Sequence, residues 1–154
     1  MACVAGAGRN TSKNCLPGTR EDILSEIKCW IHSTEKDVPR VLWLTGTAGK
    51  GKSAIAHTIA NWDERVDIRA CFCFDHTKKT EGCHEKIFTT IARDLADCDP
   101  IMREALACAV HNNNELKHTN DISRQWQELL AGPLGEASKG ITAPVLITID
   151  ALDE

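Results

Sequence analysis

The sequence predicts an α/β protein, a parallel sheet layered between helices. Two observations carry this. Short β-branched or apolar runs, "VLWLTG", "ACFCF" and "APVLITID", have the length of buried strands. Between them lie longer segments with apolar residues three and four apart, the helical period. Strands separated by helices can be joined in one sheet only by crossovers, and crossovers make neighbouring strands parallel.

The first helix is expected in "TREDILSEIKCWIH" (19–32), where Ile23, Ile27, Trp30 and Ile31 share a face. Thr19 is its expected N-cap, with Asp22 as capping-box partner. After the polar connection "STEKDVPR", the run from Val41 predicts a short buried strand ending at Gly46. "KSAIAHTIANW" follows as a helix with Ile55, Ile59 and Trp62 on one face. A second strand is expected at about 69–74, and a helix in "CHEKIFTTIARDLAD", where Ile87, Ile91 and Leu95 form a stripe that Phe88 and Ala92 widen. Asp99-Pro100 opens a further helix with proline in its first turn. The next, "DISRQWQELLAGPL", is expected to stop at Gly132-Pro133. The last strand runs through Val145 to Asp150.

Composition narrows the class. With 154 residues the chain is long enough for one sizeable core, and 42% apolar with 26% charged residues is globular usage. A net charge of −4 provides no field for nucleic acid or an anionic membrane. No run approaches the roughly 18 apolar residues of a membrane span. Residues 1–14 have neither the basic start nor the apolar stretch of a secretory signal and are expected to be a flexible tail ahead of one domain over 15–154. The eight cysteines are irregularly spaced, and without a signal they predict reduced thiols in the cytoplasm. Cys71, Cys73, Cys83 and His84 can be drawn as a zinc set. In a strand, Cys71 and Cys73 fall on the same face, and we read them as small buried apolar residues.

Chemistry concentrates in Gly46-Thr47-Ala48-Gly49-Lys50-Gly51-Lys52-Ser53, which fits G-x-x-x-x-G-K-[ST] at every fixed position. Glycines let backbone N–H groups turn inward around phosphates, and the following helix directs its positive end at them. Lys52 is expected to neutralise the β- and γ-phosphates and Ser53 to place its hydroxyl on Mg²⁺. The strand ending in Asp150 supplies the carboxylate such a metal needs, at the sheet edge where open α/β folds bind ligands. Asp153 and Glu154 follow as candidate catalytic acids that polarise an attacking water.

These motifs, with "CLPGTREDIL", "IFTTIARDLA", "WQELLAGPL" and the terminal "VLITIDALDE", resemble the NACHT type of signal-transduction P-loop NTPase. The resemblance is closest to the nephrocystin-type N-terminal region common in fungal NLR-like proteins, and it spans about residues 15–154. It implies a three-layer α/β/α P-loop NTPase fold and a STAND-type switch in innate immune signalling that binds ATP or ADP, with GTP as the alternative. Hydrolysis is expected to be slow or absent, and output is by assembly, usually between an N-terminal effector and C-terminal repeats. By position it assigns Gly46 to Ser53 to phosphate, Ser53 and Asp150 to Mg²⁺, and Arg20, within Pro17 to Arg20, to the approach to the base. Lys50 stands where the family often has a small or hydroxyl residue, and Ala151 where many ATPases have glutamate.

The resemblance also implies a strand after the one ending in Asp150, lying between it and the strand that ends at Gly46. The chain ends at Glu154, so the sheet is expected to be incomplete and to associate with another copy or a full-length homologue. Two alternatives stand beside the regulatory module: a catalytically competent NTPase, and a fragment that binds no nucleotide and acts by pairing with another protein.

Overall fold

The computed structural model describes residues 11–62, 68–74 and 84–152. It is a mixed α/β structure around a two-stranded parallel sheet. Strand β1 (Ile68–Cys73) pairs with β2 (Val145–Asp150), Ile68 beside Val145 and Cys73 beside Asp150.

Side chains alternate across this sheet, and each face recruits its own helices. From one face, Ile68, Ala70 and Phe72 enter the larger core with Ile91 and Leu95 of α3 (Ile87–Cys98) and Met102 and Leu106 of α4 (Pro100–Asn112). From the other, Leu146 packs with Ile27 and Ile31 of α1 (Glu21–His32) and Ile55 and Ile59 of α2 (Lys52–Asn61). Cys71 and Cys73 lie on this second face against Ala60. The sheet is thus sandwiched between helices, with α1 and α2 on one side and α3 and α4 on the other.

The expected strand at 41–45 is not formed; residues 41–47 have no regular secondary structure. β-propensity cannot make a strand without a neighbour to take its N–H and C=O groups, and no described strand lies beside this segment. Leu44 packs against the α1/α2 cluster, whereas Val41 and Trp43 are exposed.

Helix α1 also begins later than its capping pattern implies. Leu16-Pro17-Gly18-Thr19 closes as a turn, with Thr19 N–H donating to Leu16 O at 3.1 Å and Gly18 at φ 76°. Proline followed by a left-handed glycine is the type II pattern. The Thr19 hydroxyl also donates to Leu16 O, at 2.6 Å, and Thr19 stands one residue ahead of the N-cap. Arg20 instead occupies the N-cap position at φ 61°. Ahead of it, Thr11–Lys13 forms a 3₁₀ turn, Cys15 N–H donates to Thr58 Oγ1 at 2.8 Å and Asn61 bonds Asn14. Residues 11–14 of the expected tail, with Cys15 that follows, are therefore packed on α2.

Helix α4 opens at Asp99-Pro100 as expected, with Pro100 in the first turn, and the Asp99 carboxylate caps it by accepting from Met102 N–H at 2.8 Å. Arg103 reaches back to Ala96 O at 3.0 Å and satisfies a carbonyl at the end of α3. Asp99→Ala should lower stability by about 1 kcal/mol, read as a lower urea midpoint at unchanged slope.

The expected stop at Gly132-Pro133 does not occur. Helix α5 (Ile122–Gln125) passes through a π-helical stretch, Trp126–Ala131, into α6 (Gly132–Ala137). Gly132 N–H donates five residues back, to Gln127 O, and this widened turn carries the helix past a proline that has no N–H to give. Leu129 and Leu130 are fully buried there.

Candidate functional site

The glycine loop connects residue 46 to the first turn of α2. Gly49 and Gly51 sit at φ 76° and 80° with open space around the position of a Cβ. Backbone conformation, not crowding, is what demands glycine there. Gly51 is the N-cap of α2, so the helix's unsatisfied N–H groups and positive dipole end face the loop.

Lys52 folds back over the loop and its ammonium donates to Gly46 O at 2.8 Å and Thr47 O at 3.4 Å. The loop thus holds its own cation over its backbone. Arg20, placed by the turn before α1, donates to Lys50 O at 2.9 Å. It contacts the same loop from outside the motif, 30 residues before Lys50.

The structure brings Ser53 and Asp150 together. Ser53 Oγ donates to Asp150 Oδ1 at 3.1 Å, across 97 residues of sequence. Packing of α2 on β2 fixes this meeting. Asp150 is the last residue of its strand, and its carbonyl continues the ladder by accepting from Phe74 N–H at 3.1 Å. Ala151 then turns away at φ 57°. A hydroxyl and a carboxylate are hard oxygen donors, the kind that Mg²⁺ takes from protein while keeping several waters. The donor set therefore fits that ion. Asp153 and Glu154, the candidate catalytic acids, lie outside the described residues, as do Cys83 and the side chain of His84.

One neighbouring cluster joins Cys71 and Cys73 to a residue that the sequence reading did not link to them. His57 lies one helical turn beyond Ser53 on α2, and its Nε2 is 3.5 Å from Cys73 Sγ. Cys73 Sγ is 3.8 Å from Cys71 Sγ. All three residues are buried. Hydrogen bonding to Cys73 and burial push the Cys71 thiol up, the same hydrogen bond holds Cys73 below its ordinary value, and burial pushes the His57 imidazole down. The i, i+2 spacing of the cysteines marks a shared face. The histidine comes from another element, and no sequence spacing announces it.

Fold and site together define a mixed α/β protein in which a glycine loop, the helix behind it and an acid at a strand end converge. The family model for nephrocystin 3, N-terminal, matches residues 18–154, and the chain belongs to that family. No curated protein and no solved structure gave a significant match. Among the described residues no helix is long and apolar enough to cross a membrane.

Proposed function

We propose that this chain is a Mg²⁺-dependent nucleoside triphosphate binding module with a P-loop NTPase fold, acting as a regulatory switch in a STAND or NLR-like signalling protein. ATP is the proposed ligand, ADP its alternate state and GTP the alternative nucleotide. The observation that carries the reading is the contact of Ser53 with Asp150, because it joins the two motifs independently found in the sequence. A glycine-rich turn alone has no need of an acid at the far end of the chain.

In this reading Gly49 and Gly51 let the loop backbone wrap the phosphates. Lys52 exchanges its two carbonyl partners for phosphate oxygens, a stronger pairing because both partners are charged. Ser53 and Asp150 hold Mg²⁺, which would screen the phosphate charge. Arg20, already bonded to the loop carbonyl of Lys50, reports loop position to α1. Hydrolysis is slow or absent in this proposal, with Asp153 and Glu154 the acids available for it.

Thermal unfolding with ATP, ADP or GTP, each with and without Mg²⁺, tests the proposal. Tm should rise with nucleotide and rise further with Mg²⁺, and Asp150→Asn should remove the Mg²⁺-dependent part. A wild-type protein whose Tm ignores every nucleotide would overturn the binding reading. It would favour the second, in which the chain acts by pairing; exposed Val41, Trp43, Val145 and Ile149 support that alternative.

A further inference from the structure

We propose that His57 Nε2, Cys71 Sγ and Cys73 Sγ form a binding site for one zinc ion between α2 and β1. The site is separate from the hard-oxygen pair of Ser53 and Asp150, and zinc binds there without nucleotide present.

Geometry is the first argument. Zinc bonds of about 2.3 Å to sulfur and about 2.0–2.1 Å to nitrogen, at tetrahedral angles, put two sulfurs roughly 3.8 Å apart and a sulfur and a nitrogen roughly 3.5 Å apart. The observed separations are 3.8 Å for Cys71 with Cys73 and 3.5 Å for Cys73 with His57. All three ligand atoms lie within 4.8 Å of one another, so the remaining pair closes with a small side-chain rotation.

Chemistry is the second. Two thiolates and an imidazole are soft and borderline donors, which select zinc over Mg²⁺. Each ion bound releases the Cys71 and Cys73 thiol protons to solvent. Two thiolates then cancel the charge of Zn²⁺, so the loaded site buries no net charge, the condition under which burial of ions is tolerated. A disulfide is a poor use of the same sulfurs, because adjacent same-face positions of one extended strand hold them 3.8 Å apart, far from a bond of about 2.0 Å.

Placement gives the site a consequence. Ser53 and His57 are four residues apart on α2 and share a face. Cys73 stands beside Asp150 in the strand register. Zinc would therefore clamp α2 to β1 one layer beneath the loop, stiffening the framework on which Ser53 and Asp150 meet.

The test is a Co²⁺ titration of the reduced, metal-stripped full chain, followed by thiolate-to-cobalt absorption, with Zn²⁺ as displacing ion and no nucleotide present. One Co²⁺ per chain is expected, displaced by Zn²⁺. Cys73→Ser and His57→Gln should each weaken binding more than about 100-fold, beyond the loss expected from an outer-shell partner. Cys29→Ser and Cys108→Ser, which change exposed thiols, should leave it unchanged. Zn²⁺ should also protect Cys71 and Cys73 of the wild type from alkylation, a readout that survives if a variant misfolds. Absence of thiolate absorption in the wild type, its persistence in the Cys71→Ser/Cys73→Ser double variant, or protection confined to other cysteines would each overturn the site.

Discussion

Phe72→Ala should destabilise the protein by about 3–5 kcal/mol, the range for removing a buried phenyl ring and leaving a cavity. Phe72 is fully buried at the centre of the larger core and stacks edge-on against Phe74, with ring centroids 5.0 Å apart and planes at 71°. It lies on β1, the strand that both helical layers use, so the cavity opens where α3 meets the sheet. Against a total stability of roughly 5–15 kcal/mol for an ordinary domain, this loss takes much of the folded population's margin. Urea unfolding of Phe72→Ala beside Phe72→Leu checks it. The leucine variant should lose clearly less, and Trp43→Ala, at a residue 70% exposed, should stay within about 0.5 kcal/mol of wild type. Equal losses at positions 72 and 43 would mean that the described core is wrong.

Lys52→Ala should remove most of the nucleotide-dependent stabilisation while leaving the unligated protein almost unchanged. Its ammonium bonds only exposed loop carbonyls among the described contacts, so truncation costs within about 0.5 kcal/mol in the absence of ligand. A nucleotide at 100 times its dissociation constant adds about 2.7 kcal/mol to a folded binder. If the lost charge weakens binding 100-fold, the same concentration adds only about 0.4 kcal/mol to the variant. Chemical unfolding at matched nucleotide and Mg²⁺ reads both numbers. Equal stabilisation of both proteins would move the ligand away from residues 46–53 and remove the proposed role of the loop.

Much of the architecture was legible because local chemistry and tertiary packing agree. The apolar run into Asp150 is a strand; Asp99 and Pro100 start α4; and Cys71 and Cys73 share a face. The glycine loop precedes a helix as its pattern requires, and Ser53 meets the acid expected to partner it. The failures have physical causes. Residues 41–45 have strand propensity and, among the described residues, no neighbouring strand. Thr19 has capping chemistry that the Pro17-Gly18 turn redirects to Leu16. Pro133 is a helix breaker whose missing donor is absorbed by a π-helical stretch. His57 escaped because helix α2 and strand β1 are brought together by packing, which leaves no spacing to read.

The parallel pairing of β1 with β2 also fixes the order in which the molecule can be made. A parallel neighbour cannot arrive by a hairpin, and here all of α3 to α6 lies between the two strands. The bond joining Ser53 to Asp150 closes 97 residues of chain, and such closures have their entropic cost before any contact rewards them. On the ribosome β1 emerges well before β2, so α3 can cover its apolar face before its ladder groups find a partner. The sheet, and the loop it supports, should therefore assemble late, after the helical layer has condensed. Until then β1 has, among the described residues, no strand partner on either edge, and the helices between the two strands serve as its first shield.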